Sequence, residues 1–419
     1  MIRRIRTFIL KTLLLLLTGG PAFAAAGEPP GSGVQVYLVT LGAGTALHTA
    51  AGHAMLRIKG KGRDEMLDWG VFNPDNPGFF SDVFLGTARY RVEPMSMARF
   101  HAFLNQGEPR SVIEERLVLT PDQRQVLLQE INWWLWPPNR SYVYDERHRN
   151  CATIIRDVLD KATGGRLSAA TTGVATTKTW RSWWLELFGS HRLATTAAAL
   201  AFNHEMDRRP DVWQEMFVPE RLRHHISRLG LSTDRRVISR IEGPAAAWHG
   251  YGLFWLLPGL PLVLSLLLNL SGRQRAGTIL LGGAALSGGL VSTLYGVLIP
   301  LAGFFSDRAI FQWGANLWLF WPVDLLLVAA AGFWLRGRSL PGRWAGLMKR
   351  LCQAHLIGHA CYLTLWLTGI IGQNIYHELF SIYPLSLAMN LIILQRLHPA
   401  VTAGGDRLPA PDLTGALRN

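Results

Sequence analysis

Three side chains in the first half of the sequence have the types that thiol catalysis requires: Cys151, His53 and Asp68. A thiol attacks an acyl carbon as its thiolate, which needs an imidazole partner within hydrogen-bond reach. A third polar group then fixes the tautomer of that imidazole. We therefore predict Cys151 as a nucleophile, His53 as its partner in proton transfer and Asp68 as the group that orients His53.

Two of these assignments have alternatives. The alternative partners for Cys151 are His48, His101 and His148. His148 lies in the charged run ERHR at positions 146–149, which is more typical of a solvated loop. Asp68 stands before a Trp-Gly pair that is equally typical of a turn. The residue types alone therefore leave the partner and the orienting group open.

The local sequence places the three residues on defined elements. VQVYLVTLG alternates as a strand, and AGHAMLRIKGKGRDEMLDWGVF predicts two strands joined by a Gly/Lys-rich turn. Such a hairpin would bring His53 and Asp68 together. RNCATIIRDVLDKATGG predicts a helix with Cys151 in its first turn, where unpaired N–H groups stabilise a thiolate. TPDQRQVLLQEINWWLW predicts a second helix, which begins with a capping box of Thr120 and Gln123.

The N-terminus and the cysteine count indicate an exported chain. Residues 1–26 combine a basic segment, a short leucine run and small residues, which predicts a cleavable secretory signal, with an uncleaved anchor as the alternative. Of three cysteines, Cys151 is the one outside the apolar C-terminal sequence, and a lone thiol in an oxidising compartment suggests a reactive group. The net charge of +13 does not indicate nucleic-acid binding, since an exported chain meets no nucleic acid. It is consistent with basic residues that set the orientation in the membrane and with attraction to anionic lipid head groups.

The composition changes near residue 245. Residues 27–245 have the composition of a soluble domain, and residues 246–396 contain five apolar stretches that are long enough to span a membrane. Lys and Arg concentrate in the links that lie inside if the soluble domain is outside. We predict a periplasmic domain, a five-helix transmembrane bundle and a disordered cytoplasmic tail at residues 397–419. The predicted spans are 251–270, 276–303, 316–335, 353–372 and 375–394.

Several polar and aromatic residues remain outside this scheme. Four residues of the apolar half invite a metal or haem interpretation, namely Cys352, His355, His359 and Cys361. No further ligand completes a set nearby, so we predict polar packing and neither metal nor cofactor. Asp324 and Asn390 are costly to expose to lipid and are expected to face the bundle interior or a hydrated groove. The tryptophans at 133–136 and 180–184 either rest on the membrane, line an acyl groove or pack in a core.

Five segments carry a family resemblance: AGHAMLRI, LDWGVFNPDNPGFF, FLGTARYRV, NRSYVYDERHRNCATIIRD and WQEMFVPERL. Together they resemble the N-terminal periplasmic domain of the Lnb-type bacterial lipoprotein N-acyltransferases, over nearly all of residues 34–225. The resemblance implies an α+β, circularly permuted papain-like fold, in which the histidine strand precedes the cysteine helix. It also implies a Cys-His enzyme whose matching residues here are Cys151 and His53.

Three residues just before Cys151 are candidate substrate contacts. Tyr144 and Asp145 match the family in the SYVYD segment, and a Tyr that packs the loop is the alternative for Tyr144. Asn150 either orients a partner or caps the helix, and capping is favoured by its position.

The expected function is that of a membrane-bound thiol acyltransferase of the bacterial inner membrane, with a periplasmic domain and a cytoplasmic C-terminus. Cys151 would take an acyl chain from a phospholipid as a thioester. By resemblance, the acceptor is the N-terminal amine of a diacylated lipoprotein. Two alternatives stay open, a membrane-tethered papain-like cysteine hydrolase acting on cell-wall peptide and a non-enzymatic lipoprotein-binding factor in which Cys151 is structural.

Overall fold

A computed structural model of the protein describes residues 33–73, 76–244, 250–252 and 255–397. The predicted secretory signal at residues 1–26 and the predicted tail beyond residue 397 lie outside the described residues. The described chain has two parts, an N-terminal half up to residue 244 and a C-terminal half from residue 250.

The N-terminal half is built on an antiparallel sheet. Its described strands lie in the order β6-β4-β3-β2-β1-β5-β7. The predicted hairpin is confirmed, because β2 pairs antiparallel with β3 and Leu56 lies opposite Leu67. The strands are β1 (Gln35–Leu41), β2 (His53–Gly60), β3 (Arg63–Val71), β4 (Arg89–Ser96), β5 (Val112–Leu117), β6 (Ser141–Val143) and β7 (Ser232–Ser239).

Helices cover both faces of this sheet. The nine described α-helices of the N-terminal half are α1 (Phe79–Leu85), α2 (Met97–Gln106), α3 (Pro121–Leu135), α4 (Cys151–Ala162), α5 (Arg166–Thr171), α6 (Trp180–Phe188), α7 (Arg192–Ala201), α8 (Val212–Glu215) and α9 (Pro219–Arg228). The larger core lies between the sheet and the helices α3, α4 and α9, and a smaller one lies beneath α2. The α+β class is thus confirmed for this half, whereas the permuted papain-like arrangement stays a prediction.

The alternation of β1 and β2 explains this two-sided burial. Leu38 and Leu56 point into the larger core, while Val39 and Met55 point into the smaller one. Successive side chains of a strand face opposite sides of a sheet, so an almost continuous apolar strand needs cover on both faces. The larger core also fixes α4, the helix that begins at Cys151, against β2 and β3.

The C-terminal half consists of apolar helices of unequal length. They are α10 (Leu260–Leu270), α11 (Gln274–Phe305), α12 (Leu325–Trp334), α13 (Gly342–Leu367), α14 (Tyr376–Phe380) and α15 (Ile382–Leu397). Within the described residues, α11 is long and apolar enough to cross a membrane, and segments 309–318 and 322–334 form a second candidate bent by 55°. Apolar helices at Leu256–Leu270 and Ile382–Leu397 are shorter. The bundle of five full spans stays a prediction.

A shared core joins the two halves. Trp180 and Phe202 of the N-terminal half pack with Tyr295, Phe320 and Tyr362 of the C-terminal half. The tryptophans at 180–184 therefore pack in a core, as one of the alternatives predicted. The tryptophans at 133–136 differ in burial, since those at positions 133 and 136 are exposed and the one at position 134 is buried.

Candidate active site

The hairpin joins His53 to Asp68. His53 is the first residue of β2, and Asp68 lies on β3 at the point where the pairing of β3 with β4 becomes irregular. The Nε2 atom of His53 lies 2.8 Å from Oδ1 of Asp68, and the N–H of Gly70 donates to the same oxygen over 2.6 Å. The contact predicted between His53 and Asp68 is confirmed. Because Asp68 holds Nε2, the nitrogen left for Cys151 is Nδ1.

Gly70 leaves room for the imidazole, and Gly52 allows a close approach of the backbone just before His53. A Cβ atom at Gly70 would lie 2.4 Å from Cε1 of His53 and 3.1 Å from Oδ1 of Asp68. Gly52 has a φ of +79°, and a Cβ there would lie 2.7 Å from the carbonyl oxygen of Leu41. From the sequence, the Trp-Gly pair was interpreted only as a turn signal. The space that Gly70 leaves for the ring of His53 was not predicted.

Cys151 is the first residue of α4, as predicted. The side chain of Asn150 caps this helix: its Oδ1 accepts from the N–H groups of Ala152 and Thr153, both over 2.9 Å. The Nδ2 of Asn150 donates to the carbonyl oxygens of Glu146 and Phe217, again over 2.9 Å. The amide of Asn150 is therefore occupied at both ends, which supports capping rather than substrate contact.

Cys151 and His53 interact across the gap between α4 and β2. Burial of the imidazole favours its neutral form, but the negative charges of Asp68 and of a Cys151 thiolate, with hydrogen bonds to both, raise the pKa of His53 well above its ordinary value of 6.5. Burial raises the pKa of Asp68, yet the charge and hydrogen bond of His53 outweigh it and leave that pKa below 3.8. The pair thus favours a protonated His53 beside an ionised Asp68.

Part of the chain that holds these residues matches a known protein family. Residues 30–184 match the family model described as the Lnb N-terminal periplasmic domain. We refer to these residues as the Lnb domain, after the family that they match. The Lnb domain contains His53, Asp68 and Cys151. A periplasmic domain family and a helix that is long enough to cross a membrane are both consistent with a membrane protein. Searches of curated proteins and of solved structures gave no match.

The other candidates of the Lnb domain lie in the loop before α4. The ring of Tyr144 stacks on Tyr90 with centroids 4.3 Å apart. Asp145 accepts from the backbone N–H groups of Arg147 and His148 over 2.9 and 2.8 Å. The Nδ1 of His148 lies 3.2 Å from the same carboxylate, so His148 pairs with Asp145. The imidazole that interacts with Cys151 is that of His53. Asp145 thus holds the loop together.

Three aromatic side chains, Phe72, Phe79 and Tyr90, form what we call the aromatic wall in the core against which Cys151 packs. Phe72 lies 4.8 Å from both Phe79 and Tyr90, measured between ring centroids. These residues pack against the same core as Cys151, and burial, with the charge of a Cys151 thiolate, raises the pKa of Tyr90. Such a wall suits an alkyl chain better than a charged peptide.

The polar residues of the C-terminal half form a separate buried cluster. The Nε2 of His355 lies 2.7 Å from Oδ1 of Asp324, and the other carboxylate oxygen accepts from Ser292. Asp324, His355 and Asn390 line a cavity between the helices, so Asp324 and Asn390 face the interior as predicted. In the described part of the chain, no group of three or more His, Cys, Asp or Glu is arranged to hold a metal ion.

The Asp68 carboxylate should control the reactivity of Cys151 through His53. We expect Asp68→Asn to lower the pKa of His53, because the amide keeps the shape of the carboxylate without its charge. Alkylation of Cys151 by iodoacetamide near neutral pH should then slow by about tenfold, the effect of about one pKa unit. Rates measured against pH test this, and overlapping profiles for the two proteins would contradict it.

The same pair should stabilise the fold over a limited pH range. The contribution of Asp68 is present above its ordinary pKa of 3.8 and is lost as the pH falls through its lowered pKa. The contribution of His53 is complete below 6.5 and is lost as the pH rises through its raised pKa. The difference in melting temperature between wild type and Asp68→Asn should therefore be largest between about pH 4 and pH 6.5.

Proposed function

We propose that the protein is a membrane-bound thiol acyltransferase that moves an acyl chain from a phospholipid to the N-terminal amine of a bacterial lipoprotein. The observation that carries this proposal is His53, held between Asp68 and Cys151 at a helix start within an Lnb domain. The family name supplies the lipoprotein setting, and the dyad supplies the chemistry. The proposed location is the inner membrane, with the Lnb domain periplasmic and the C-terminus cytoplasmic.

The first half-reaction transfers the acyl group to sulfur. The Sγ thiolate of Cys151 attacks the ester carbonyl carbon of the phospholipid, and a C–S bond forms. The C–O bond of the ester then breaks, and the imidazolium of His53 gives its proton to the departing lysophospholipid oxygen. The products are a thioester on Cys151 and a lysophospholipid.

The second half-reaction passes the acyl group to nitrogen. The lipoprotein amine attacks the thioester carbonyl, and a C–N bond forms as the C–S bond breaks. His53 accepts the proton that the amine loses, and Cys151 leaves as a thiolate beside the restored imidazolium. Asp68 holds the imidazole in one orientation through both steps.

The start of α4 offers a donor for the oxyanion. Asn150 occupies the N–H groups of Ala152 and Thr153, whereas the N–H of Cys151 has no hydrogen-bond partner within the described residues. That N–H belongs to the positive end of the helix, and it is available to the oxygen that becomes negative when sulfur attacks.

In this proposal, the C-terminal half keeps the Lnb domain at the membrane, where both substrates lie. Both proposed substrates are anchored in the bilayer, so a domain packed on apolar helices meets them by lateral diffusion in a restricted orientation. The aromatic wall at Phe72, Phe79 and Tyr90 provides an apolar surface beside the sulfur for the acyl chain. A hydrolase of cell-wall peptide has no comparable need of either feature.

Mass spectrometry of lipoprotein N-termini tests the proposal. Cells that produce the wild-type protein should carry acylated N-terminal cysteines, and cells that lack it or produce Cys151→Ser should carry free amines. No difference in acylation would contradict the transferase and favour the cell-wall hydrolase. Acylation that persists with Cys151→Ser would instead favour a binding factor in which Cys151 is structural.

A further inference from the structure

A short segment of the C-terminal half docks on the Lnb domain next to the active site. Residues 306–308 follow directly after α11. The hydroxyl of Ser306 donates to the carbonyl oxygen of Phe84 over 2.6 Å, and the N–H of Asp307 donates to that of Leu85 over 3.0 Å. The end of the candidate membrane helix is thus tied to the end of α1.

Arg308 extends this contact to the loop that carries Cys151. Its side chain is only 5% exposed, and its Nη1 lies 2.8 Å from a carboxylate oxygen of Asp145 and 3.0 Å from one of Glu146. Its Nη2 donates to the carbonyl oxygen of Tyr144 over 2.7 Å, and its Nε donates to that of Val83 over 3.3 Å. One buried guanidinium therefore binds three consecutive residues of the loop.

The path from Arg308 to the nucleophile is short. Asp145 orders the turn through the N–H groups of residues 147 and 148, and the carbonyl oxygen of Glu146 accepts from the Asn150 side chain over 2.9 Å. Asn150 in turn caps the helix on which Cys151 is the first residue. Each link is a direct hydrogen bond, so a shift of the loop moves the helix start.

The charges of this contact depend on one another. Despite burial, the hydrogen bonds of His148 and the charge of Arg308 hold the pKa of Asp145 far below its ordinary value. Burial raises the pKa of Glu146, and Arg308 opposes that rise. Removal of one partner from a buried ion pair leaves an uncompensated charge, which forces the surrounding loop to move or to take up a proton.

We infer that Arg308 is a positioning residue that holds Cys151 opposite His53, so that the reactivity of the thiol depends on docking of the C-terminal half. The inference rests on the proposed function, in which Cys151 is the nucleophile. Arg308 itself touches no reacting atom and acts through Asp145, Glu146 and the Asn150 cap. The guanidinium suits this task because a lysine has no fork to bind carboxylates and carbonyls together.

The test is the alkylation rate of Cys151 in the full-length protein in detergent. Iodoacetamide is the probe, and peptide mass spectrometry separates Cys151 from Cys352 and Cys361. We expect Arg308→Gln to slow alkylation of Cys151 by about tenfold or more across neutral pH, since small misplacements of reacting groups have effects of this size or greater. Arg308→Lys keeps the positive charge and should recover part of the rate.

Arg181 provides a matched control. Its side chain is 7% exposed, its Nε lies 2.6 Å from Oδ1 of Asp207, and it also binds the carbonyl oxygens of Ala199 and Asn203. Asp207 accepts from the N–H of Asn374, so this arginine also supports the contact between the halves, and its own hydrogen bonds go to residues outside the Cys151 loop. Arg181→Gln should leave the alkylation rate of Cys151 unchanged.

The outcomes separate the inference from the proposed function. Wild-type alkylation rates in Arg308→Gln, or equal losses in Arg308→Gln and Arg181→Gln, would overturn the role of Arg308 and leave the proposed function intact. If wild-type Cys151 reacts no faster than in His53→Gln, the proposed function itself fails. Should Arg308→Gln not fold, the double variant Arg308→Gln/Glu146→Gln removes one of the two carboxylates that lose Arg308, while Asp145 keeps His148, and it carries the same expectation.

Discussion

Replacing Cys151 by alanine should lower the rate of acyl transfer by a factor on the order of 10⁴ or more, the size of loss seen when a nucleophile is removed from a catalytic triad. In the proposed mechanism, both half-reactions pass through the bond between the acyl carbon and Sγ. The protein should otherwise be intact, because the thiol is only partly buried and alanine keeps the helix start of α4.

The measurement is acyl transfer from a phospholipid with a labelled acyl chain to a lipoprotein peptide, using purified full-length protein. Wild-type protein should also carry a hydroxylamine-sensitive label on Cys151 when the acceptor is left out. The matched control is Cys361→Ala, a partly buried thiol on α13 that should leave both the label and the rate unchanged. Transfer at the wild-type rate in Cys151→Ala would exclude a thioester route.

The local parts of the site could be predicted from the sequence because they depend on short-range patterns. The strand alternation around His53, the turn of the hairpin and the helix start at Cys151 each lie within about a dozen residues, and the structure confirms all three. The pairing of His53 with Asp68 follows from the hairpin, since strands that neighbour in sequence also neighbour in the sheet.

The long-range contacts that hold the site in place could not be predicted from such short-range patterns. Arg308 is separated from Asp145 by more than 160 residues, and nothing in its own segment indicates a partner in the Lnb domain. The role of Asp145 stayed open for the same reason, because a polar residue before a reactive cysteine looks alike whether it binds substrate or orders the loop. For Asn150, the position at the helix start already favoured capping, and the hydrogen bonds of the folded chain agree with it.

The C-terminal half shows a different limit of sequence patterns. Apolar composition predicted five stretches long enough to span a membrane, but composition does not indicate where a helix is interrupted. The stretch at 316–335 is interrupted before Pro322, which lacks an N–H, and the chain bends there by 55°. The stretch at 375–394 divides at Ser381 into α14 and α15. Length and hydropathy therefore do not predict which of the five stretches form one continuous helix.

Substitution of Gly70 should have the second large effect, because a side chain there would collide with the imidazole of His53. We expect Gly70→Ala to lower the rate of acyl transfer by about a hundredfold, a loss comparable with that caused by displacing a reacting group by about 1 Å. The new Cβ would lie 2.4 Å from Cε1 of His53, so the ring must leave its place beside Asp68 and Cys151. The measurement is the same labelled-lipid assay, with the melting temperature determined in parallel.

The stability should change much less than the activity. Gly70 does not have the positive φ that disfavours other residues, and His53 is partly exposed, so its ring can turn towards solvent. Gly78→Ala is the matched control, since a Cβ there meets nothing closer than 3.6 Å. In the double variant Gly70→Ala/His53→Gln, the alanine should add no further loss to that of His53→Gln, because both changes remove the same imidazole from the site. Losses that instead multiply would show that Gly70 acts on something other than His53.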